Sequence, residues 1–436
     1  MSLKIVSKNS QKRAVISILG IQNGKVEGNN KEDKKAYINS DINAEYYETS
    51  SSDKKAYFNT LPYLASKYPN YTLIPFFTED AKIFNTHILK KLYPELISKV
   101  DFQDKYLIKD EKDFKFFFNL VDMAINEYDE LIIDVSHGFR HLPILMIVDI
   151  LIQNFKNSKK IQKILFAKEI TKHTREEKGL YEIIDLKEYL DIANISFILT
   201  AFEKNFTVAN HITSEKYPEL IKKINNFSND IMALSLNNLF KKSAKQLIVE
   251  LDKIDDISIK EQSQKIKNNI KELIDIDGKK RYETYYNLAK NLYEKNYILL
   301  SLALIYEGLR LYIKTSIKKT NQECEKIVEK IEDHYRNDLY AIGDFFKNLK
   351  WKDYSKYDNK LNIAESQYNT IKKNYPSNIE DLIDEVGKKR NNLAHANADK
   401  ASYDDVKSDI KRLLDAYYNV CIKPKNSNDL KKFFNK

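Results

Sequence analysis

At 436 residues the chain is long for one domain, and at about 150 residues per domain it implies two or three compact units. Hydrophobic residues at 42% and charged residues at 31% exclude collagenous and wholly disordered chains, while 9 Gly and 8 Pro are too few for a many-turned β-sandwich. The 72 Lys and Arg against 63 Asp and Glu, a net charge of +9, are spread along the chain and favour polyanion contact without demanding it.

Up to about residue 185, short apolar runs alternate with amphipathic stretches, the pattern of an α/β unit with a largely parallel sheet. Arg13–Gly20 (RAVISILG) opens it as a buried strand. Ala36–Asn39 and Ala44–Thr49 are expected to pair as an exposed hairpin before a helix over Tyr57–Tyr68. Tyr71–Thr78 is the next core strand and Ala81–Leu96 its helix. A short strand over Lys105–Ile108 and a helix over Phe114–Tyr128 follow. Glu130–Val135 is a strand, Phe139–Phe155 a helix, and Gln162–Lys168 and Tyr181–Leu186 are strands.

After Leu186 helical periodicity takes over. A Lys-, Asp- and Ile-rich connector extends to about Lys280. A bundle follows, with main helices over Asn287–Lys314 and Asn378–Ala398 and another over Ser355–Asn374. The expected organisation is an α/β domain over 1–186, a helical connector over 187–284 and an all-α domain over 285–436. No stretch reaches the roughly 18 apolar residues of a membrane span. No signal-peptide core follows Met1-Ser2-Leu3-Lys4, and Cys324 and Cys421 are too few for a disulfide scaffold or a zinc cluster, so a cytoplasmic protein without membrane contact is expected.

Two constellations carry chemistry. In Asp134-Val135-Ser136-His137-Gly138-Phe139-Arg140-His141-Leu142-Pro143 an apolar strand ends in small and polar residues and a helix begins within a few positions. Backbone N–H groups and the positive helix end then point into the crevice above the sheet, which is anion-binding geometry. Ser136 can cap the helix, Gly138 permits close backbone approach, and His137 and Arg140 are donors for a phosphate or a base edge. A capped strand-to-helix turn with incidental charge is the competing account. Gly20, Gln22 and Asn23 after the first strand, and Thr78 and Glu79 after the second, are expected on the same sheet edge. GxGxxG and GxxxxGK[ST] are both absent, so a dinucleotide or P-loop triphosphate is not the expected ligand. His137 and His141 have the spacing of two metal ligands, but Gly138 stands where such a motif needs its Glu and no third ligand is near; no metal is expected.

The second constellation is Lys388-Lys389-Arg390-Asn391-Asn392-Leu393-Ala394-His395. Ile383, Val386 and Leu393 form an apolar stripe in which Arg390 takes the place of a leucine. A buried guanidinium needs an acidic neighbour or a bound anion, and Glu307 on the earlier helix is the candidate partner. Asn391 and His395, four apart, share a face on which the amide can orient the imidazole. Arg390 and His395 stand about 140° apart around a helix of about 100° per residue, so two such helices about a twofold axis could interleave both pairs into one cleft. Arg and His without metal suit cleavage of RNA by its own 2′-OH, with His395 transferring protons and Arg390 stabilising charge. A basic helix lining a subunit seam is the competing account.

The run IIDVSHGFRHLP resembles the signature of CRISPR-associated Rossmann-fold (CARF) sensor proteins, in the subfamily with an Asp-x-Thr/Ser-His-Gly-Phe-Arg motif; SILG and IIDLKEYLDIANISFILTAFEKNF are similar to that subfamily too. RNNLAH resembles the Arg-x4-His motif of HEPN ribonuclease domains, and YILLSLALIYEGLRLYI their earlier long helix. The resemblance covers roughly residues 13–210 and 285–422. It implies an ancillary, metal-independent endoribonuclease of type III CRISPR defence that cuts single-stranded RNA and is switched on by cyclic oligoadenylate. Arg390, Asn391 and His395 are then catalytic. Gly20, Gln22, Asn23, Thr78, Glu79, Ser136, His137, Gly138, Phe139 and Arg140 bind the activator. A homodimer or higher even oligomer is implied, with no cofactor. Cleavage of the activator ring by the sensor domain stays open, because ring opening needs mainly positioning and phosphate contacts. The alternative from another class is a non-catalytic nucleotide-sensing adaptor whose helices bind RNA or a partner. Stable DNA binding is not expected, since no helix-turn-helix or winged unit stands between Leu186 and Lys280.

Overall fold

Apart from Ser17, the run after Arg13 is apolar without alternation, as a strand covered on both faces requires, and it forms the buried β1 (Arg13–Ile18). The structure, a computed structural model, describes residues 11–22, 24–30, 32–38, 44–48, 54–138, 141–156, 160–172, 178–208, 212–274, 280–357, 361–395 and 402–423. It divides into two units: Met1–Thr200 with Val208–Lys222, and Ala201–Thr207 with Lys223–Lys436. An amino-terminal mixed α/β sheet is followed by a largely helical remainder, the fold class expected from the alternation of patterns.

The other strands of the first unit are β2 (Gly24–Glu27), β3 (Lys35–Ile38), β4 (Ala44–Glu48), β5 (Lys55–Tyr57), β6 (Thr72–Phe76), β7 (Glu130–Asp134), β8 (Ile161–Thr171) and β9 (Gly179–Asp185). The main sheet runs β5-β4-β9-β8-β7-β1-β6. Within it β8, β7, β1 and β6 are parallel neighbours, and β9 lies antiparallel to β8. The strands pack with α1 (Thr60–Lys67), α2 (Glu79–Leu92), α3 (Phe114–Glu127) and α4 (His141–Lys156) around one core that includes Ile16, Leu64, Leu89, Val121, Ile133 and Met146.

Three local expectations are corrected here. Residues 36–39 and 44–49 do not form a hairpin with each other. β3 instead pairs antiparallel with β2, and Val26, Ala36 and Ile38 pack on Phe84 and Ile88 of α2. β4 enters the main sheet beside β9 because Tyr46 is buried in a stack with Tyr63 and Tyr181. The helix expected to reach Leu96 stops at Leu92, since Pro94 disfavours helical backbone at Tyr93, and a 3₁₀ turn follows over Pro94–Lys99. In place of a strand over 105–108 there is a 3₁₀ turn, Asp104–Tyr106, with a single bridge from Leu107 to Phe77.

Among the described residues every regular element after Asp185 is helical. α5 (Lys187–Asn205) and α6 (Pro218–Met232) each divide their residues between the two units. The second unit continues with α7 (Leu236–Asn238), α8 (Ala244–Leu251), α9 (Ile257–Ile274), α10 (Arg281–Glu294), α11 (Ile298–Lys318), α12 (Gln322–His334), α13 (Leu339–Asn348), α14 (Glu365–Lys373), α15 (Glu380–Ala394) and α16 (Tyr403–Tyr417). The single helix expected over 287–314 is two, α10 and α11. Asn296 takes φ +66°, Tyr297 N–H donates to Leu292 O at 2.8 Å and Asn296 N–H to Tyr293 O at 2.9 Å, a Schellman ending with asparagine in the glycine place. The helix expected over Ser355–Asn374 is shorter, with a 3₁₀ turn at Tyr354–Tyr357 before α14. The end of the helix expected to reach Ala398 lies outside the described residues. Among the described residues no helix is long and apolar enough to cross a membrane.

Gly308 fixes how closely α11 meets α16. A Cβ there would stand 2.0 Å from the hydroxyl of Tyr417, which is fully buried and donates to Tyr282 O at 2.8 Å. Gly308→Ala should therefore overpack the bundle and cost about 1–3 kcal/mol in urea unfolding. An unchanged midpoint would show that the two helices part without cost.

Candidate functional site

The carboxyl ends of β1, β6 and β7 lie side by side because the three strands are parallel neighbours, and their following loops share one edge. Asp134 closes β7 and is only 1% exposed, an environment that penalises a bare carboxylate. It is satisfied locally: Ser17 Oγ of β1 donates to Oδ2 at 2.6 Å, and Ser136 donates to Oδ1 through its N–H at 3.0 Å and through its hydroxyl. Ser136 Oγ in turn accepts from Ala167 N–H of β8 at 2.8 Å. Ser136 thus ties the end of β7 to β8, and the described part of α4 runs from His141.

The loop continues through His137, whose Nδ1 accepts from Gln22 Nε2 at 2.8 Å. Accepting there places the ring proton on Nε2 of a neutral imidazole. Burial lowers the pKa of this ring, and Asp134 acts in the opposite direction without overcoming it. Gly138 adopts φ +110°, and a Cβ on it would come 2.5 Å from Ile18 Cγ2; a Cβ on Gly20 would meet Gly138 N at 3.7 Å. Gly138 therefore lets the loop after β7 close on β1, and Gly20 lies beside it with room for a Cβ. Gly20, Gln22, Ser136, His137 and Gly138 are brought together in this way. Thr78 stands at the end of β6 with its hydroxyl accepting from Ala81 N–H as the cap of α2, and Glu79 opens that helix. Asn23, Phe139 and Arg140 lie outside the described residues. His141 faces elsewhere: its Nε2 meets Glu111 O at 2.8 Å and its ring packs on Phe114, so it does not converge with His137.

Asn85 was not singled out in the sequence. It is buried on α2, donates to Gly20 O at 3.1 Å and Ala81 O at 2.8 Å, and accepts from Asn59 Nδ2 at 2.9 Å. It supports the β1 loop from beneath. The available signal was a lone amide on the apolar stripe of Ala81, Phe84, Ile88 and Leu89.

In the second unit, Arg390 is half-buried near the end of α15 with its guanidinium 5.5 Å from the ring centre of Tyr306. Gly387 makes room for that ring, since a Cβ would meet Tyr306 Cε2 at 3.3 Å. Asn391 and His395 are exposed, and His395 ends the helix with its N–H donating to Asn391 O at 3.0 Å. The Asn391 side chain faces Arg390 NH1 at 3.5 Å instead of orienting the imidazole. Glu307 is engaged by Arg310 at 2.8 Å and not by Arg390. Arg390 has no carboxylate within ion-pair distance among the described residues. Tyr306 and Arg310 were passed over in the sequence because both lie on an apolar helix whose periodicity reads as core.

No protein-family model matches the chain. It is 24% identical over 340 residues to the CRISPR-associated protein MJ1674 of Methanocaldococcus jannaschii, an alignment covering 73% of this chain and 51% of that protein. The chain thus spans about half the length of the curated relative it matches. Among solved structures, Enterococcus italicus Csm6 bound to cyclic hexa-2′-fluoro-hexa-dAMP aligns over 98% of both chains at 13% identity with a TM-score of 0.36.

The lowered pKa of His137 has a pH signature. As pH falls, the unfolded chain takes up this proton first, at the ordinary value of about 6.5, so the neutral ring's contribution is intact above that pH and declines below it. The urea midpoint should fall more steeply between about pH 7 and pH 5 than in His137→Gln, whose amide does not titrate. Coincident profiles would mean that the ring is not held neutral by the fold.

Proposed function

We propose that this chain is an ancillary ribonuclease of type III CRISPR defence. Its sensor domain, 1–186, binds cyclic oligoadenylate, and its carboxy-terminal domain, 285–436, then cuts single-stranded RNA without a metal, with 187–284 as connector. The observation that carries this reading is Arg390, a half-buried cation with no carboxylate partner among the described residues, five positions before the exposed His395. The likeness to a CRISPR-associated protein supports the defence setting. The meeting of Gln22, Ser136, His137 and Gly138 at the carboxyl edge of the sheet, with Gly20 beside Gly138, supports recognition of an anion bearing base edges.

In the proposed reaction the 2′-oxygen attacks the adjacent phosphorus as its proton leaves to a base. A P–O2′ bond forms, the P–O5′ bond breaks, and the departing 5′-oxygen takes up a proton. His395 serves proton transfer and Arg390 the charge on the phosphorane-like transition state. Two copies complete each site. Ile144, Val148 and Ile152, 63%, 42% and 48% exposed at four-residue spacing on α4, support pairing of sensor domains through an apolar stripe that begins beside the ligand loop.

The test incubates labelled single-stranded RNA in EDTA with and without each cyclic oligoadenylate. Activator-dependent cutting that leaves a 2′,3′-cyclic phosphate, and spares DNA, is expected. His395→Ala should lower the rate by about 10²–10⁴-fold and Arg390→Ala comparably, with activator binding retained. Arg140→Ala should shift activation to higher activator concentration. Full cleavage by His395→Ala refutes the mechanism, and activator binding without cleavage by the wild type favours the adaptor.

A further inference from the structure

Three cations share the ring of Tyr306. Lys347 Nζ lies 5.3 Å from its centre, and the guanidinium carbons of Arg310 and Arg390 each lie 5.5 Å from it. They arrive on three helices, α13, α11 and α15. Distances of this order fall within the attraction of a cation to an aromatic face.

The three are not equivalent. Arg310 is 2% exposed and committed to the fold: it pairs with Glu307 and donates to Tyr340 O at 2.7 Å, and Gly343 leaves room for its guanidinium. Lys347, one turn beyond Gly343, is half-buried and has no carboxylate within ion-pair distance among the described residues. The acid nearest to it along α13, Asp344, is engaged by Asn348 at 3.0 Å. Since Glu307 is matched by Arg310, Lys347 and Arg390 remain as two cations without an ion-pair partner among the described residues. Each stands within 5.5 Å of one ring centre, so they lie within twice that distance of each other. Like charges gathered on a surface raise the local concentration of anions and suit a backbone of successive phosphates.

We propose that Lys347 is a second phosphate-binding cation of the RNA site, held beside Arg390 by the ring of Tyr306 and contacting a phosphate next to the scissile one. The assignment rests on the ribonuclease reading for the identity of the anion. Its role is substrate binding, not proton transfer.

The experiment measures anisotropy of a labelled single-stranded 2′-O-methyl oligoribonucleotide, which lacks the nucleophile and is not cut, against salt concentration. Lys347→Met keeps the packed stem and removes the charge; Lys347→Arg keeps the charge. Lys347→Met should weaken binding several-fold and reduce the slope of log affinity against log salt by about 0.7, the value of one single-strand phosphate contact. In cleavage assays it should raise KM more than it lowers kcat. Lys347→Arg should retain the slope, and Lys326→Met, at an exposed lysine of α12, should leave it unchanged. A wild-type protein that binds the oligonucleotide with this Lys347-dependent slope but cuts no RNA keeps the site and removes the nuclease. A wild-type protein that cuts RNA while folded Lys347→Met shows unaltered affinity and slope overturns the site.

Discussion

A buried carboxylate governs the open edge of the sheet. Asp134 sits where ionised oxygens are costly to bury, and the three donors that satisfy it come from β1 and from the residue two positions on. Through Ser136 the same network reaches Ala167 of β8. Strands β1, β7 and β8 are therefore pinned at the point where the ligand loops begin. His137 and Gly138 follow from that fixed start, Gly138 at a positive φ that its missing Cβ permits, and Gln22 and Gly20 meet them from the other side.

The helical unit applies a related rule with the sign reversed. One tyrosine ring accommodates three cations, and only the most buried of them is given a carboxylate. Glycines at 343 and 387 place the helices close enough for that arrangement, and Gly308 does so for α16. Close packing thus positions charge at the surface, and the charge left unmatched is what a polyanion would meet.

Much of this was legible in the sequence because it depends on local pattern. Apolar runs of strand length marked β1, β6 and β7, and the glycine-bearing loop after Asp134 marked its own turn. The order of parallel strands then put Gly20, Gln22 and His137 on one edge. What escaped depends on partners distant in sequence. Tyr46 draws β4 into the sheet by stacking on Tyr63 and Tyr181, which no local alternation announces. Asn85 supports a loop 65 residues away. Asn296 breaks a continuous helical pattern by adopting a backbone more often given to glycine, and Glu307 was claimed by Arg310, its neighbour one turn on, before Arg390 could reach it.

In the proposed function the loops after β1 and β7 form a receptor for a cyclic oligoadenylate shared by two copies of the chain. Isothermal titration of cyclic tetra- and hexaadenylate into the His395→Ala protein tests it most directly, since binding is then read without any dependence on RNA cleavage. Saturable binding of at least one ring size at one ring per two chains is expected. Absence of binding for every ring size, or saturation at one ring per chain by a monomer, would contradict it.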